Sequence, residues 1–152
     1  KLAGENFVKD FADRYFIIRT AWLYDESKNF VKTMLKLSET HDRLTVVDDQ
    51  FGSPTSTIEL AKAINYLLPT DNYGLFPGTW ADFAAEIMKK AGKSTEIVPV
   101  STEEYYKNNS ASAPRPHYSI LDNYMFRLTT DHMYADWHDA LDVYMKTFGY
   151  AK

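Results

Sequence analysis

Four stretches of the chain carry side chains suited to binding or catalysis. Asp49, Gln50, Ser53 and Thr55 crowd a carboxylate, an amide and two hydroxyls into LTVVDDQFGSPTSTIE, residues 44–59. Such groups can grip the hydroxyls and carbonyls of a small polar ligand, and the same residues also make a well-capped turn. Trp22 leaves an apolar run at Thr20-Ala21-Trp22, where an indole either stacks on a planar ring or closes a core. Arg115 stands between Pro114 and Pro116. Its backbone is stiffened, and its guanidinium can clamp a phosphate or carboxylate or simply meet solvent. Lys1 opens a helical pattern, a place where a lysine is ordinarily solvated.

Other chemistries lack their signatures. His41, His117, His132 and His138 have no ligand spacing, so no metal site is expected. There is no cysteine, which excludes disulfides and thiolate nucleophiles. No G-x-S-x-G elbow, no G-x-G-x-x-G and no Walker pattern occurs among the six glycines. This stretch alone therefore has no dinucleotide-binding loop.

The elements that must hold these groups alternate between strand and helix. Leu44, Val46 and Val47 read as a buried strand, and Ser56 with Glu59 reads as a capping box that starts a helix. Ile58, Ala61, Ile64, Leu67 and Leu68 continue that helix until Pro69 ends it. The polar loop thus lies beyond the carboxyl end of a strand, where open α/β sheets place their ligands. Upstream, Leu2, Ala3, Phe7, Val8, Phe11 and Ala12 share one helical face. Phe16-Ile17-Ile18-Arg19 suits a parallel strand covered on both sides. Asn29 is placed to cap a helix running to Glu39. Downstream, Tyr73 to Pro77 reads as a strand. Thr79 with Asp82 caps a helix whose face is Trp80, Phe83, Ala84, Ile87, Met88 and Ala91, closed by Gly92. Glu96 to Val100 is a strand, Ser101 with Glu104 caps a short helix, residues 108–117 form a loop and Ile120 starts a helical turn. A last helix spans Asp136 to Phe148. This order predicts an α/β fold.

Composition sets the bounds. The 152 residues suffice for one ordinary core. A net charge of -4 gives no reason to expect nucleic acid or a membrane as partner. No long apolar run is present, so a cytoplasmic location is the expectation. The first residue, Lys1, lies inside a helical pattern without a cap, which reads as the C-terminal piece of a longer polypeptide.

Read together, these stretches resemble one family. They are Lys1-Leu2-Ala3-Gly4-Glu5, Arg19-Thr20-Ala21-Trp22-Leu23-Tyr24, residues 28–35, Val46-Val47-Asp48-Asp49-Gln50-Phe51-Gly52-Ser53-Pro54-Thr55, Arg115-Pro116 and Trp137 with Ala140-Leu141. The chain resembles the dTDP-4-dehydrorhamnose reductases, which are extended short-chain dehydrogenase/reductases. The likeness implies the C-terminal part of a Rossmann-like enzyme, with the last sheet strands and a small mixed substrate-binding lobe across residues 1–152, and with the dinucleotide-binding half outside them. It implies reduction of the 4-keto group of dTDP-4-dehydro-β-L-rhamnose by NADPH or NADH, in a possible homodimer. By the same likeness Lys1 is the lysine of a Y-x-x-x-K motif whose tyrosine precedes residue 1, and it serves catalysis and cofactor binding. Thr20 and Ala21 pass near the nicotinamide. Trp22, Asn29, Gln50, Gly52, Ser53, Thr55 and Arg115 meet the nucleotide-sugar. One departure from the family is a short connection, Pro77-Gly78-Thr79, before the Trp80 helix. The fragment by itself is expected to be inactive. Two rival readings are a non-catalytic regulatory subunit of the same fold and a sugar-nucleotide epimerase or dehydratase.

Overall fold

The computed structural model describes residues 1–13, 15, 17–67, 78–108, 115–120 and 135–151. In chain order the elements are α1 (Leu2–Phe11), β1 (Leu23–Tyr24), α2 (Phe30–Leu37), β2 (Arg43–Val47), β3 (Phe51–Gly52) and β4 (Thr55–Ser56). Then come α3 (Thr57–Leu67), β5 (Gly78–Thr79), α4 (Trp80–Lys90), β6 (Glu96–Val100), α5 (Thr102–Asn108) and α6 (Trp137–Thr147). Strands and helices alternate as expected, and the fold is α/β.

Three ladders organise the strands. β2 pairs parallel with β6 from Arg43 opposite Glu96 to Val47 opposite Val100. β1 pairs parallel with β4, and β3 pairs antiparallel with β5. A parallel pair needs a long crossover. Between β2 and β6 that crossover carries α3 and α4. Pro99 sits in β6 opposite Val46, a position an edge strand tolerates because proline gives no N–H to a further neighbour.

α4 is the hub. Its side chains Phe83, Ala84 and Ile87 are fully buried, and it packs on α2, on α6 and on the β2–β6 ladder. Tyr24, Val31, Met34, Leu44 and Val46 meet it from the other elements, with Trp137, Leu141, Tyr144 and Met145 from α6. A charged clamp joins the outer sides of α4 and α6. Lys90 lies 2.7 Å from Asp142, and Lys146 lies 3.0 Å from the same carboxylate. The Lys90 and Lys146 contacts hold Asp142 down to about 2.

Local signals set the helix ends. Asn29 accepts from the Lys32 amide. Thr79 and Asp82 form a reciprocal capping box. Ser101 accepts from the Glu104 amide at 3.1 Å. Gly92, at φ 61°, closes α4 with the Lys93 amide donating to the Met88 carbonyl at 3.0 Å. The left-handed turn this requires is easy for glycine alone. The box expected at Ser56 and Glu59 does not form: Ser56 caps α3 by accepting from the Ile58 amide at 3.2 Å, and Glu59 pairs with Lys62.

Two expectations change. Ile17 to Thr20 join no ladder, and pairing begins only at Leu23. An apolar run becomes a strand by hydrogen-bonding to a neighbour, and no described strand lies beside these residues; Trp22, at φ 48°, also breaks the extended path. The loop after β2 is more structured than a plain turn, since β3 and β4 interrupt it. The amphipathic helix at the start does form. Its apolar side is largely uncovered by the described residues, with Phe7 63% and Phe11 74% exposed. Phe16, Pro69, the strand expected at Tyr73–Pro77, most of the 108–117 loop and the turn after Ile120 lie outside the described residues.

Candidate functional site

The loop Asp48-Asp49-Gln50 leaves β2 and is locked to two helix N-termini. The hydroxyl of Thr79, the cap of α4, lies 3.1 Å from Asp48 Oδ1 and 2.7 Å from Asp82 Oδ2 and shares its one hydrogen between the two carboxylates. At the start of α5 the Thr102 amide donates to both Asp49 oxygens, at 2.8 and 2.9 Å. The Thr102 hydroxyl donates to the same carboxylate, and it accepts from Gln50 Nε2 at 3.0 Å. Desolvation pushes the Asp49 carboxyl up, but the Thr102 donors outweigh it and leave the group below its ordinary range. A negative carboxylate at a helix N-terminus is also favoured by the helix dipole. Asp49 is thereby spent on holding the loop.

A second strap brings Arg115 to the same place. The Phe51 amide donates to the His117 carbonyl at 2.6 Å, and the Ser119 amide donates to the Phe51 carbonyl at 2.7 Å. The Phe51 and Tyr118 rings stack at 5.2 Å. His117 Nδ1 lies 2.8 Å from the Asp49 carbonyl oxygen. Residues 117–119 are thus tied along β3.

These elements border an open cavity of about 320 Å³ against the carboxyl half of β2. Its walls are Phe30 and Met34 from α2, Thr45, Val46 and Val47 from β2, Trp80 from α4, and Tyr105 and Tyr106 from α5. Gln50 and Arg115 supply its polar groups. Among the described residues no carboxylate pairs with Arg115. Aromatic walls with a few convergent polar groups are the usual make-up of a small-molecule site, and the volume lies near the lower end of the ordinary range, about 300–1,000 Å³.

The remaining sequence-derived candidates lie around this cavity. Trp22 is not one of its walls. Its indole stacks on Trp80 at 3.8 Å and lies against Gly52. A Cβ at Gly52 would fall 2.3 Å from Trp22 Cε2, so only glycine fits there. Ser53 and Thr55 are buried, and the Thr55 amide donates to the Trp22 carbonyl at 3.2 Å. Asn29 is occupied as a cap and donates to the Ser27 carbonyl and the Tyr144 hydroxyl. Lys1 and Thr20 are exposed, and Ala21 is half-buried. A 2.6 Å ion pair between Glu5 and Arg19 ties the first turn of α1 to the segment carrying Thr20 to Trp22. So Gln50 and Arg115 meet at the cavity, Gly52, Thr55 and Trp22 brace it from behind, and Lys1, Thr20 and Ala21 stand outside it.

The walls were the part that sequence reading missed. Trp80, Phe30 and Met34 sit at helical spacing and read as core, and Tyr105-Tyr106 read as a short helix. The available signal was an aromatic pair one turn into a helix capped just past a strand end.

A family model, the RmlD substrate binding domain, matches residues 1–149. The chain belongs to that family. The spore coat polysaccharide biosynthesis protein SpsK of Bacillus subtilis is 41% identical over 81% of this chain and 44% of its own length. The dTDP-4-dehydrorhamnose reductase of Escherichia coli is 32% identical over 90% of this chain and 50% of its own length. Two solved structures have the same fold. The dTDP-4-dehydrorhamnose reductase of Clostridium acetobutylicum superposes with a TM-score of 0.88 at 41% identity, covering 98% of this chain and 54% of that one. The Bacillus anthracis reductase, solved in complex with NADP, gives 0.86 at 38% identity, covering 97% and 53%. This RmlD-type chain spans about half the length of the relatives it matches.

Proposed function

We propose that this chain is the sugar-nucleotide-binding part of an NAD(P)H-dependent reductase that converts the 4-keto group of dTDP-4-dehydro-β-L-rhamnose to the alcohol of dTDP-L-rhamnose. The observation that carries this reading is the cavity at the carboxyl half of β2, which joins aromatic walls to one amide and to a guanidinium with no carboxylate partner among the described residues. Rings accept a flat base by stacking, and a planar guanidinium suits a diphosphate. The names of the relatives, of whose lengths this chain covers about half, support the keto-sugar substrate.

The residues fit a cofactor only at one margin. The exposed ammonium of Lys1 and the exposed hydroxyl of Thr20 suit ribose hydroxyls. No glycine-rich pyrophosphate loop is present in these 152 residues. The nicotinamide, when bound, supplies the hydride. Lys1 would orient its ribose and, as a nearby cation, favour the ionised form of a proton-donating phenol. Trp80 and Arg115 would hold the substrate's nucleotide end. Trp22, behind Trp80, would set that ring's position.

Arg115→Ala tests the reading. A charged hydrogen bond to phosphate is worth about 1.5–3 kcal/mol, so dTDP affinity should fall about tenfold or more. Thymidine, which lacks phosphate, should bind the variant as it binds the parent. Fluorescence titration of the chain would measure both. Equal dTDP affinity in parent and variant would contradict the assignment of the diphosphate to Arg115.

A further inference from the structure

We propose that Gln50 reads the nucleobase, and that Asp49 and Thr102 fix the direction of its amide so that the site accepts a thymine-type imide and rejects cytosine. The inference rests on the reading that the cavity takes a thymidine diphosphate sugar.

A primary amide can usually turn over and exchange its donor and acceptor. Here it is prevented from doing so. Asp49 is a carboxylate and can only accept, so the Thr102 hydroxyl hydrogen is committed to it. What Thr102 shows to Gln50 is therefore a lone pair. Only the NH₂ end of the amide can face it, and Nε2 lies 3.0 Å away. A turned amide would set two acceptors against each other in a buried place, since Gln50 is only 5% exposed. Asp49 is itself held in the ionised form by the Thr102 amide and hydroxyl, which completes the relay.

One Nε2 hydrogen is used on Thr102. The amide retains Oε1, an acceptor, and one N–H, a donor, and Gln50 lines the cavity. Thymine offers the matching pair, an N3–H donor beside a carbonyl acceptor. Cytosine offers the opposite order, an N3 acceptor beside an amino donor. With the phosphates held at Arg115 and the base between aromatic walls, the ligand cannot turn over to restore the match. Neither Thr102 nor Asp49 needs to touch the ligand; both are positioning residues.

The test compares dTDP, dCDP and N3-methylthymidine diphosphate by fluorescence titration of the 152-residue chain. The unsubstituted chain should bind dTDP about tenfold or more tightly than dCDP, the size of one well-formed bidentate base contact. The N3-methyl compound should lose a similar factor. Thr102→Val removes the acceptor, frees the amide to turn, and should bring dTDP and dCDP within about threefold. Thr102→Ser keeps the hydroxyl and should keep the preference. Equal binding of dTDP and dCDP by the unsubstituted chain overturns the inference while leaving the cavity's proposed role intact. So does a folded Thr102→Val variant that still discriminates. If Thr102→Val does not fold, the N3-methyl compound decides. No binding of dTDP at all overturns both the inference and the reading beneath it.

Discussion

Gly52→Ala should destabilise the chain by about 1–3 kcal/mol, the usual cost of an overpacked core, and should unseat Trp22. The added methyl would lie 2.3, 2.4 and 2.7 Å from Trp22 Cε2, Cζ2 and Nε1. The indole has no room to retreat. One face is stacked on Trp80 at 3.8 Å with 14° between the planes, and Trp80 leans on Phe30 at 4.6 Å. The backbone cannot yield readily either, because Trp22 already holds a left-handed φ of 48° while its carbonyl accepts from Thr55. A double-mutant cycle isolates the clash. In a Trp22→Ala background the same glycine substitution should cost almost nothing. Urea unfolding of the four proteins measures this, and an equal cost in both backgrounds would show that the indole is not what excludes a side chain at position 52.

Phe83→Ala should cost more, about 3–5 kcal/mol. The ring is fully buried at the centre of α4. It stacks near Phe30 at 5.6 Å, tilts against Tyr24 at 5.3 Å and meets Trp137 edge-on at 5.8 Å. These partners come from α2, β1 and α6, so one deletion opens a void where several elements join. Because whole domains have about 5–15 kcal/mol in hand, most of the margin would go. Phe83→Leu refills part of the space and should be milder. Chemical denaturation with matched slopes gives the figure, and a loss below about 1 kcal/mol would mean that the site collapses around the deletion and that α4 is not the hub described.

Much of the scaffold was legible because its determinants are local. Asn29, the Thr79–Asp82 box, Ser101 and Gly92 each act within a few residues, and each sits where the pattern placed it. The apolar spacing of α4 marked its buried face for the same reason. What sequence could not supply was set by distant partners. Asp49 reads as a group offered to a ligand, yet its carboxylate is taken by Thr102, 53 positions away. Ile17 and Ile18 have strand-like side chains, but a strand exists only through its neighbour, and the ladder starts at Leu23. The two-residue ladders β3, β4 and β5 are too short to leave a periodic trace. Of the candidate site, Gln50 and Arg115 were found, whereas Trp80, Tyr105 and Tyr106 were not. An aromatic on a helix face has the same spacing whether it fills a core or walls a cavity; only the meeting of α4 and α5 at the end of β2 separates the two.

On the proposed function, the nucleotide end of the substrate would occupy the cavity between β2, α4 and α5. A crystal structure of the chain soaked with dTDP tests it directly. The base should lie against Trp80 with Gln50 at its edge, and the diphosphate should reach Arg115. A dTDP molecule bound with those three side chains untouched would contradict the account.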